Sequence, residues 1–320
     1  MEDYPKTLLE FRDRFSTEEA CLEYLMLLRW PTGIECPVCG HRELRRTTRG
    51  LFECRKCKHQ MSVTAGTIFH NTRKPLRLWF ETMWHITSQK YGANALGLQR
   101  MLALGSYHTA WKWLHRLRRV MVRPGRENLS GAVEIDETYI GGERSGKRGR
   151  GAENKTLVAV AVEDSKADTE RGIGRIRLQC VSDASGNSLL GFVKTHVCIG
   201  SEVRTDGWPS YTALPSMGYE HTVVGSKDLM IVHLVISLLK RWLLGTYQGA
   251  VSSIHLPYYL DEFTFRFNRR TSGSRGKLFY RLVQQAVATE QVLGRQIVGG
   301  ASISPVGGKA SGNELLDCPF

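Results

Sequence analysis

The sequence predicts a multi-domain chain: a small metal-binding ribbon and a helical segment, followed by an α/β domain built on a mixed sheet. Three observations lead there. Four of the eight cysteines form two close pairs, Cys36/Cys39 and Cys54/Cys57. Residues 75–123 carry helix-like apolar spacing interrupted twice at glycines. From 131 onward the texture becomes strand-like, and two of the apolar runs end in an aspartate, Asp136 and Asp206.

The bulk numbers are consistent with that division. A chain of 320 residues is expected to hold two or three domains. Its 42% hydrophobic and 23% charged residues are those of a globular protein. Forty-four Lys and Arg against thirty-one Asp and Glu give a formal charge of +13. That excess favours a polyanionic partner, most simply nucleic acid, although a merely basic protein would share it. No run is expected to reach the ~18–20 apolar residues of a membrane span. The polar start MEDYPKTLLEF lacks the pattern of a secretory signal, so a cytosolic location is expected.

The elements follow in order. Residues 16–30 read as a helix, with Ser16 as N-cap and Glu19 completing a capping box. Next comes C-x2-C-x14-C-x2-C across 36–57. Each C-x2-C turn supplies two thiolates, and four complete a tetrahedron, so Cys36, Cys39, Cys54 and Cys57 are expected to hold one structural zinc. Gly40 suits the turn after the first pair. His41 and His59 are expected at the surface, because the shell is already full. A helix is expected from Pro75, a first-turn proline, to about Ser88. After a break at Tyr91-Gly92 a short helix covers 93–103, and after Leu104-Gly105-Ser106 another covers 107–122. Two short helices joined by a Gly-containing turn fit a helix-turn-helix. The last one carries Lys112, His115, Arg116, Arg118 and Arg119, expected as a basic face.

Strands are expected at VEIDETYI (133–140), LVAVAVE (157–163), IRLQCVS (176–182) and EVRTD (202–206). Between the first two lies a Gly/Lys/Arg-rich stretch, 141–155, with Lys147, Arg148 and Arg150 able to meet a phosphate backbone. Helices are expected at about 185–195 and 229–244. Three strands, a crossover helix, a fourth strand and further helices follow the order of the ribonuclease H-like fold, which sets carboxylates at neighbouring strand ends. Residues 256–270 are expected as aromatic core, 277–294 as a helix, and the Gly/Ser-rich tail as disordered. The expected divisions are 1–30, 31–72, 73–128, 129–298 and 299–320.

ECPVCG…FECRKC, SYHTAWKWLHRLR, EIDETYIGG, TDGWPSY, VHLVISLLKRWLLGTYQGAVS and YLDEFTFRFNRR together resemble the bacterial insertion-sequence transposases with a zinc ribbon. That group is related to the Merlin elements and belongs to the DDE class. The resemblance spans about residues 10–295. It implies that Asp136 and Asp206 are the first two catalytic aspartates and that Lys240 is the lysine seven residues after the third position. The third position is then His233, where much of the class has glutamate and some relatives have asparagine or histidine. Leu238 is a second departure, since close relatives read Ser-Asn-Leu-Lys-Arg-Trp around it.

The resemblance implies metal-dependent cleavage at transposon ends and strand transfer into target DNA. It implies Mg²⁺ or Mn²⁺ on Asp136, Asp206 and His233, with the imidazole favouring Mn²⁺. Lys112, Arg116, Arg119, Lys147, Arg148 and Arg150 would meet double-stranded DNA near the nucleoid, and a homo-oligomer would hold two ends together. Glu262 is the rival third acid and Asp183 a lesser candidate. Glu134 and Glu137, flanking Asp136, are supporting groups or plain surface charges. The alternatives are a decayed or domesticated transposase and a non-enzymatic DNA-binding regulator.

Overall fold

The computed structural model describes residues 2–48, 50–123, 125–141, 155–165 and 172–299. These form two units, Met1–Met121 with Thr271–Val298, and Val122–Arg270.

In the first unit the N-terminal segment is two helices, α1 (Leu8–Arg14) and α2 (Glu18–Arg29). The predicted cap is displaced by one residue. Thr17 rather than Ser16 caps α2, its hydroxyl accepting from Ala20 N at 3.1 Å. The Glu18 carboxylate, in the first turn of α2, accepts from Leu76 N (2.7 Å) and Arg77 N (3.3 Å) and so caps α3 (Leu76–Ser88). Pro75 stands at the cap position of that helix, just outside its first turn.

The ribbon is a three-stranded antiparallel sheet of β1 (Leu44–Arg46), β2 (Phe52–Cys54) and β3 (Gln60–Met61). Two further helices follow, α4 (Ala95–Met101) and α5 (Tyr107–Val120), capped by Asn94 and Ser106. The expected break falls between them, and its left-handed residue is Ala103 (φ 49°).

The second unit is organised by a five-stranded sheet in the order β6-β5-β4-β7-β8. β4 (Ala132–Ile140), β5 (Thr156–Asp164) and β6 (Ile173–Val181) form an antiparallel meander. α6 (Gly186–His196) crosses over to β7 (Glu202–Thr205), which lies parallel to β4, and β8 (Glu220–Val223) lies parallel to β7. β8 was not expected: its EHTV sequence is mostly exposed and has no apolar alternation to show.

Helices cover both faces. Val158, Val160 and Val162 pack with Val232, Val235, Leu239 and Phe263 of α7 (Met230–Tyr247) and α8 (Leu256–Phe267). Val133, Ile135, Ala159 and Ala161 pack on the opposite face with Leu189, Phe192 and Val193 of α6. Burial on both faces explains why β5 is an unbroken apolar run. The aromatics of α8 are core, as expected, with Tyr258, Tyr259, Phe263, Phe265 and Phe267 buried.

α7 corrects one expectation, because it is long and apolar enough to cross a membrane by length and composition. In this fold Val232, Val235, Ile236 and Leu239 bury one side of it in the core against the sheet. The chain then returns to the first unit. α9 (Arg275–Ala288) packs on α2 and α3, with Phe279 inside an aromatic cluster of Phe11, Phe15, Phe80 and Trp84. The short α10 (Gly294–Gly299) follows it. The helix expected over 277–294 is α9, which ends six residues sooner at Ala288, and it groups with the N-terminal residues rather than with the sheet.

Candidate active site

β4 alternates, so Val133 and Ile135 face α6 while Glu134 and Asp136 face α7. The parallel register pairs Ala132 with Glu202, Val133 with Val203 and Glu134 with Arg204. Carried two residues further, it sets Asp206, the first residue after β7, beside Asp136. His233 sits in the first turns of α7 and brings Nε2 to 3.0 Å from Asp136 Oδ2. Asp136 Oδ1 accepts from Glu137 N at 2.8 Å. The three predicted residues thus converge from the middle of β4, the end of β7 and one helix; Asp136, expected at a strand end, is instead the central residue of β4.

Their electrostatics suit a cation. Burial pushes the Asp136 carboxyl above the usual range; the Glu137 amide and His233 oppose the shift and the charge of Asp206 adds to it. Among the described residues only the four cysteines gather ligand atoms within 4.8 Å of one another, so the Asp136, Asp206 and His233 set is more open. Two repelling carboxylates and an imidazole form a donor set of the kind Mn²⁺ or Mg²⁺ takes. Asp206 is exposed, and its Oδ1 accepts from Trp208 N at 3.1 Å. Gly207 between them is left-handed (φ 79°), and a Cβ there would come within 2.8 Å of Val223 Cγ1, so the turn that presents Asp206 requires glycine.

The rival acids have other duties. Glu262 is fully buried on α8 and accepts from Tyr247 Oη at 3.2 Å. Tyr247 ends α7, and fourteen residues beyond His233 is about 21 Å along the helix. Asp183 accepts from Ser185 N (3.0 Å), Ser185 Oγ (2.5 Å) and Ser188 Oγ (2.7 Å), which hold its carboxyl below the usual range in the turn before α6. Lys240 lies exposed two turns beyond His233. Leu238 packs partly buried against the core shared by α7 and α8.

Two supporting residues were less visible in the sequence. Glu134 is buried, and its Oε2 accepts from both Ile231 N and Val232 N at 2.9 Å, at the start of α7. Tyr211 is 1% exposed, and its hydroxyl donates to Glu137 Oε1 at 2.6 Å. The sequence signal for Tyr211 is its place at the end of TDGWPSY, five residues after Asp206.

The ribbon cysteines are closely gathered. Sγ separations are 3.4 Å for Cys36–Cys57, 3.6 Å for Cys39–Cys54 and 3.5 Å for Cys39–Cys57. A tetrahedral zinc with four thiolates has sulfur edges of about 3.8 Å, so the cluster fits that ion. Both knuckles turn the same way: Gly40 N donates to Cys36 O (2.8 Å) and Lys58 N to Cys54 O (3.0 Å), with φ of 69° and 62° at Gly40 and Lys58. His41 and His59 are half-buried and close the knuckles through their carbonyls, which accept from Cys36 N and Cys54 N. Backbone donors, above all Cys57 N–H, lower the Cys54 thiol to about 6, which favours the thiolate a metal needs.

On α5 the expected basic face is partly overturned. His115 and Arg118 are buried, with Arg118 Nη2 donating to Ala93 O at 3.3 Å. They share the side of α5 that buries Ala110, Leu114 and Leu117, which carries them inward with it. Lys112, Arg116 and Arg119 are half-buried, and Arg116 Nε donates to Val292 O at 3.2 Å. Tyr107 and His108 are exposed at the start of α5. Lys147, Arg148 and Arg150 lie outside the described residues, as does the tail from 300.

Residues 16–60 match the transposase zinc-ribbon domain, and residues 128–268 match the ISXO2-like transposase domain. The chain thus carries a transposase zinc ribbon and an insertion-sequence transposase domain. A relative in Halobacterium salinarum, described as an uncharacterized protein in transposable element ISH50, is 28% identical over 290 residues. That alignment covers 79% of this chain and 91% of the relative. The transposase-domain match takes in Asp136, Asp206, His233 and Lys240, and the ribbon match takes in all four cysteines.

Proposed function

We propose that this transposase cuts DNA at transposon ends and joins the freed ends to target DNA at the Asp136–Asp206–His233 site. The observation that carries the reading is the Asp136–His233 contact of 3.0 Å beside the in-register Asp206. The sheet order and its flanking helices agree with a ribonuclease H-like domain, whose chemistry uses carboxylates at neighbouring strand ends.

In this mechanism water attacks the phosphorus at the transposon end and the 3′-oxygen leaves, taking a proton to become a 3′-hydroxyl. That hydroxyl then attacks a target phosphodiester, forming the new P–O bond as the old one breaks. No covalent enzyme intermediate and no nucleotide cofactor enter. Asp136 and Asp206 would hold Mg²⁺ or Mn²⁺ with His233 as the remaining donor. Such ions supply charge neutralisation at the attacking and leaving oxygens. Asp136 orients the imidazole through Oδ2 and is itself aligned by the Glu137 amide. Lys240 gives an exposed ammonium along the same helix, placed to meet a phosphate as a point charge. The α4–α5 pair would dock DNA as a helix-turn-helix, with Tyr107, His108 and Lys112 at the start of α5. Two ends must be held together, so the acting form would be an oligomer.

Leu238, the departure from the relatives' asparagine, has a structural role. The side chain fills space against the α7–α8 core, so an apolar residue there is a packing choice.

The test incubates purified protein with a labelled candidate end and a target plasmid in Mg²⁺ or Mn²⁺. Joined products that vanish in Asp136→Ala and Asp206→Ala support the reading. Cleavage untouched by both substitutions overturns it.

A further inference from the structure

We propose that the two glutamates flanking Asp136 are positioning residues that set the other two members of the site, one on each side of the sheet. The inference rests on the transposase reading of that site. Its basis is the alternation of β4, which sends Glu134 toward α7 and Glu137 toward α6.

Glu134 acts on His233. α7 has no side-chain cap of its own; Leu229 occupies the cap position without a side-chain hydrogen bond. Its first N–H groups have no partner within the helix. Glu134 Oε2, from the neighbouring strand, accepts from two of them, Ile231 N and Val232 N, at 2.9 Å each. The carboxylate is 4% exposed, so these are buried charge-assisted bonds at the positive end of the helix dipole. His233 is the next residue, and Asp136 is two residues from Glu134 on the same strand face. One strand therefore holds the start of the helix and receives its imidazole. The distance from Asp136 to His233 is set by how firmly Glu134 grips the first turn.

Glu137 acts on Asp206. Its Oε1 accepts from Tyr211 Oη at 2.6 Å. Burial, then the Glu137 carboxylate, keep the Tyr211 hydroxyl well above its ordinary pKa, so it stays a donor. Tyr211 ends the single turn Pro209–Tyr211 that follows Asp206-Gly207-Trp208. Trp208 Nε1 and Ser210 Oγ fasten the same turn to Ala184 O, at 3.0 Å and 2.6 Å. The segment carrying Asp206 is thus tied directly to β4, the strand that carries Asp136. Neither glutamate need touch substrate or metal for this role.

The measurement is Mn²⁺ binding by zinc-loaded full-length protein, followed by loss of the free Mn²⁺ resonance, together with cleavage of a labelled end. Glu134→Ala is expected to weaken Mn²⁺ affinity on the order of ten-fold or more, the usual effect of removing a group that orients a ligand. Glu134→Gln keeps an oxygen for the two N–H groups and should recover a good part of that loss. Tyr211→Phe removes one hydroxyl and should weaken Mn²⁺ on the order of ten-fold. Circular dichroism establishes that each variant is folded at the temperature used.

Wild-type Mn²⁺ affinity and cleavage in folded Glu134→Ala and Tyr211→Phe overturn the proposal. Loss in Glu134→Gln as complete as in Asp136→Asn also overturns it, because Glu134 would then be a ligand. Asp136→Asn separates the two levels. If it abolishes cleavage while the positioning variants are normal, only this inference fails; if it changes neither Mn²⁺ binding nor cleavage, the reading of the site fails with it.

Discussion

The ribbon and the candidate active site both gather side chains of metal-ligating types, yet they are assembled by opposite means. The ribbon takes its four ligands from two turns of the same kind, Cys36–Cys39 and Cys54–Cys57, each closed by a backbone hydrogen bond. The active site takes one residue from each of three segments, and no local turn brings any two together. A β-sheet register, a helix capped from another element and a tyrosine-fastened loop do that work. The ribbon is also gathered tightly, with all Sγ atoms within 4.8 Å, as a closed structural site should be. The Asp136 site is looser and half open, with His233 40% exposed, which suits the proposed entry of a DNA strand. A site built from local turns stands or falls with its metal. A site built from tertiary contacts can lose a ligand and keep its fold.

The largest effect that could break this contrast is zinc removal. Structural zinc in small domains contributes on the order of 10 kcal/mol of folding energy. Cys54→Ser, or a strong chelator, should abolish the zinc found by metal analysis and open the ribbon to limited proteolysis. A zinc-free ribbon that resists protease would dissolve the distinction.

Next is Asp136→Asn, which should lower cleavage on the order of a hundred-fold or more while the protein stays folded. Its metal-free melting temperature at neutral pH should rise. The Asp136 carboxyl is held above its unfolded value by burial, so folding favours the protonated form. Stability from that residue is present at low pH, declines as pH climbs through the interval up to the raised value, and is absent above it. The variant's gain should therefore vanish in acid, and added Mn²⁺ should raise the melting temperature of the parent protein only.

A third comparison sharpens the choice at the helix. His233→Ala should lose Mn²⁺ affinity and cleavage with little effect on melting. Glu262→Ala should lose roughly 1–3 kcal/mol in urea unfolding, because it removes a fully buried side chain that accepts from Tyr247 Oη, and should keep Mn²⁺ affinity. The reverse pattern would move the third position to Glu262.

Within α5 the same logic separates buried from open cations. Lys112→Ala should reduce the salt slope of DNA binding by about one without altering melting, whereas Arg118→Ala should destabilise by about 1–3 kcal/mol. The smallest effect is expected at Leu238→Asn: about 1 kcal/mol of stability in urea unfolding and an unchanged cleavage rate.

How readily each part could be read follows the same division. Asp206 was legible as a strand-end aspartate, whereas Asp136, expected at a strand end, lies in the middle of β4; His233 came from the family resemblance, counted back seven residues from Lys240. The pairing of Asp136 with His233 and the remoteness of Glu262 were not legible, since neither has a local pattern. Arg118 was misread for a related reason. A basic residue on a mixed helix is assigned to solvent by its type, and only the neighbours of α5 show which side is inward. Glu18 and Glu134 cap helices remote in sequence, so no capping box records them. β8 has no hydrophobic alternation because its side chains are largely exposed.

By itself the sequence pointed to the four cysteines that cluster, most of the elements and the two candidate aspartates. Those depend on spacing within a few residues, on turn chemistry and on apolar periodicity, which the chain carries locally. The tertiary structure alone decided that Asp206 stands beside Asp136, that His233 rather than Glu262 meets it, and that Glu134 and Glu137 are tied to the elements around them. These are relations between segments tens of residues apart, and they exist only once the parallel register of β4 with β7 and the packing of α7 on the sheet have brought those segments together.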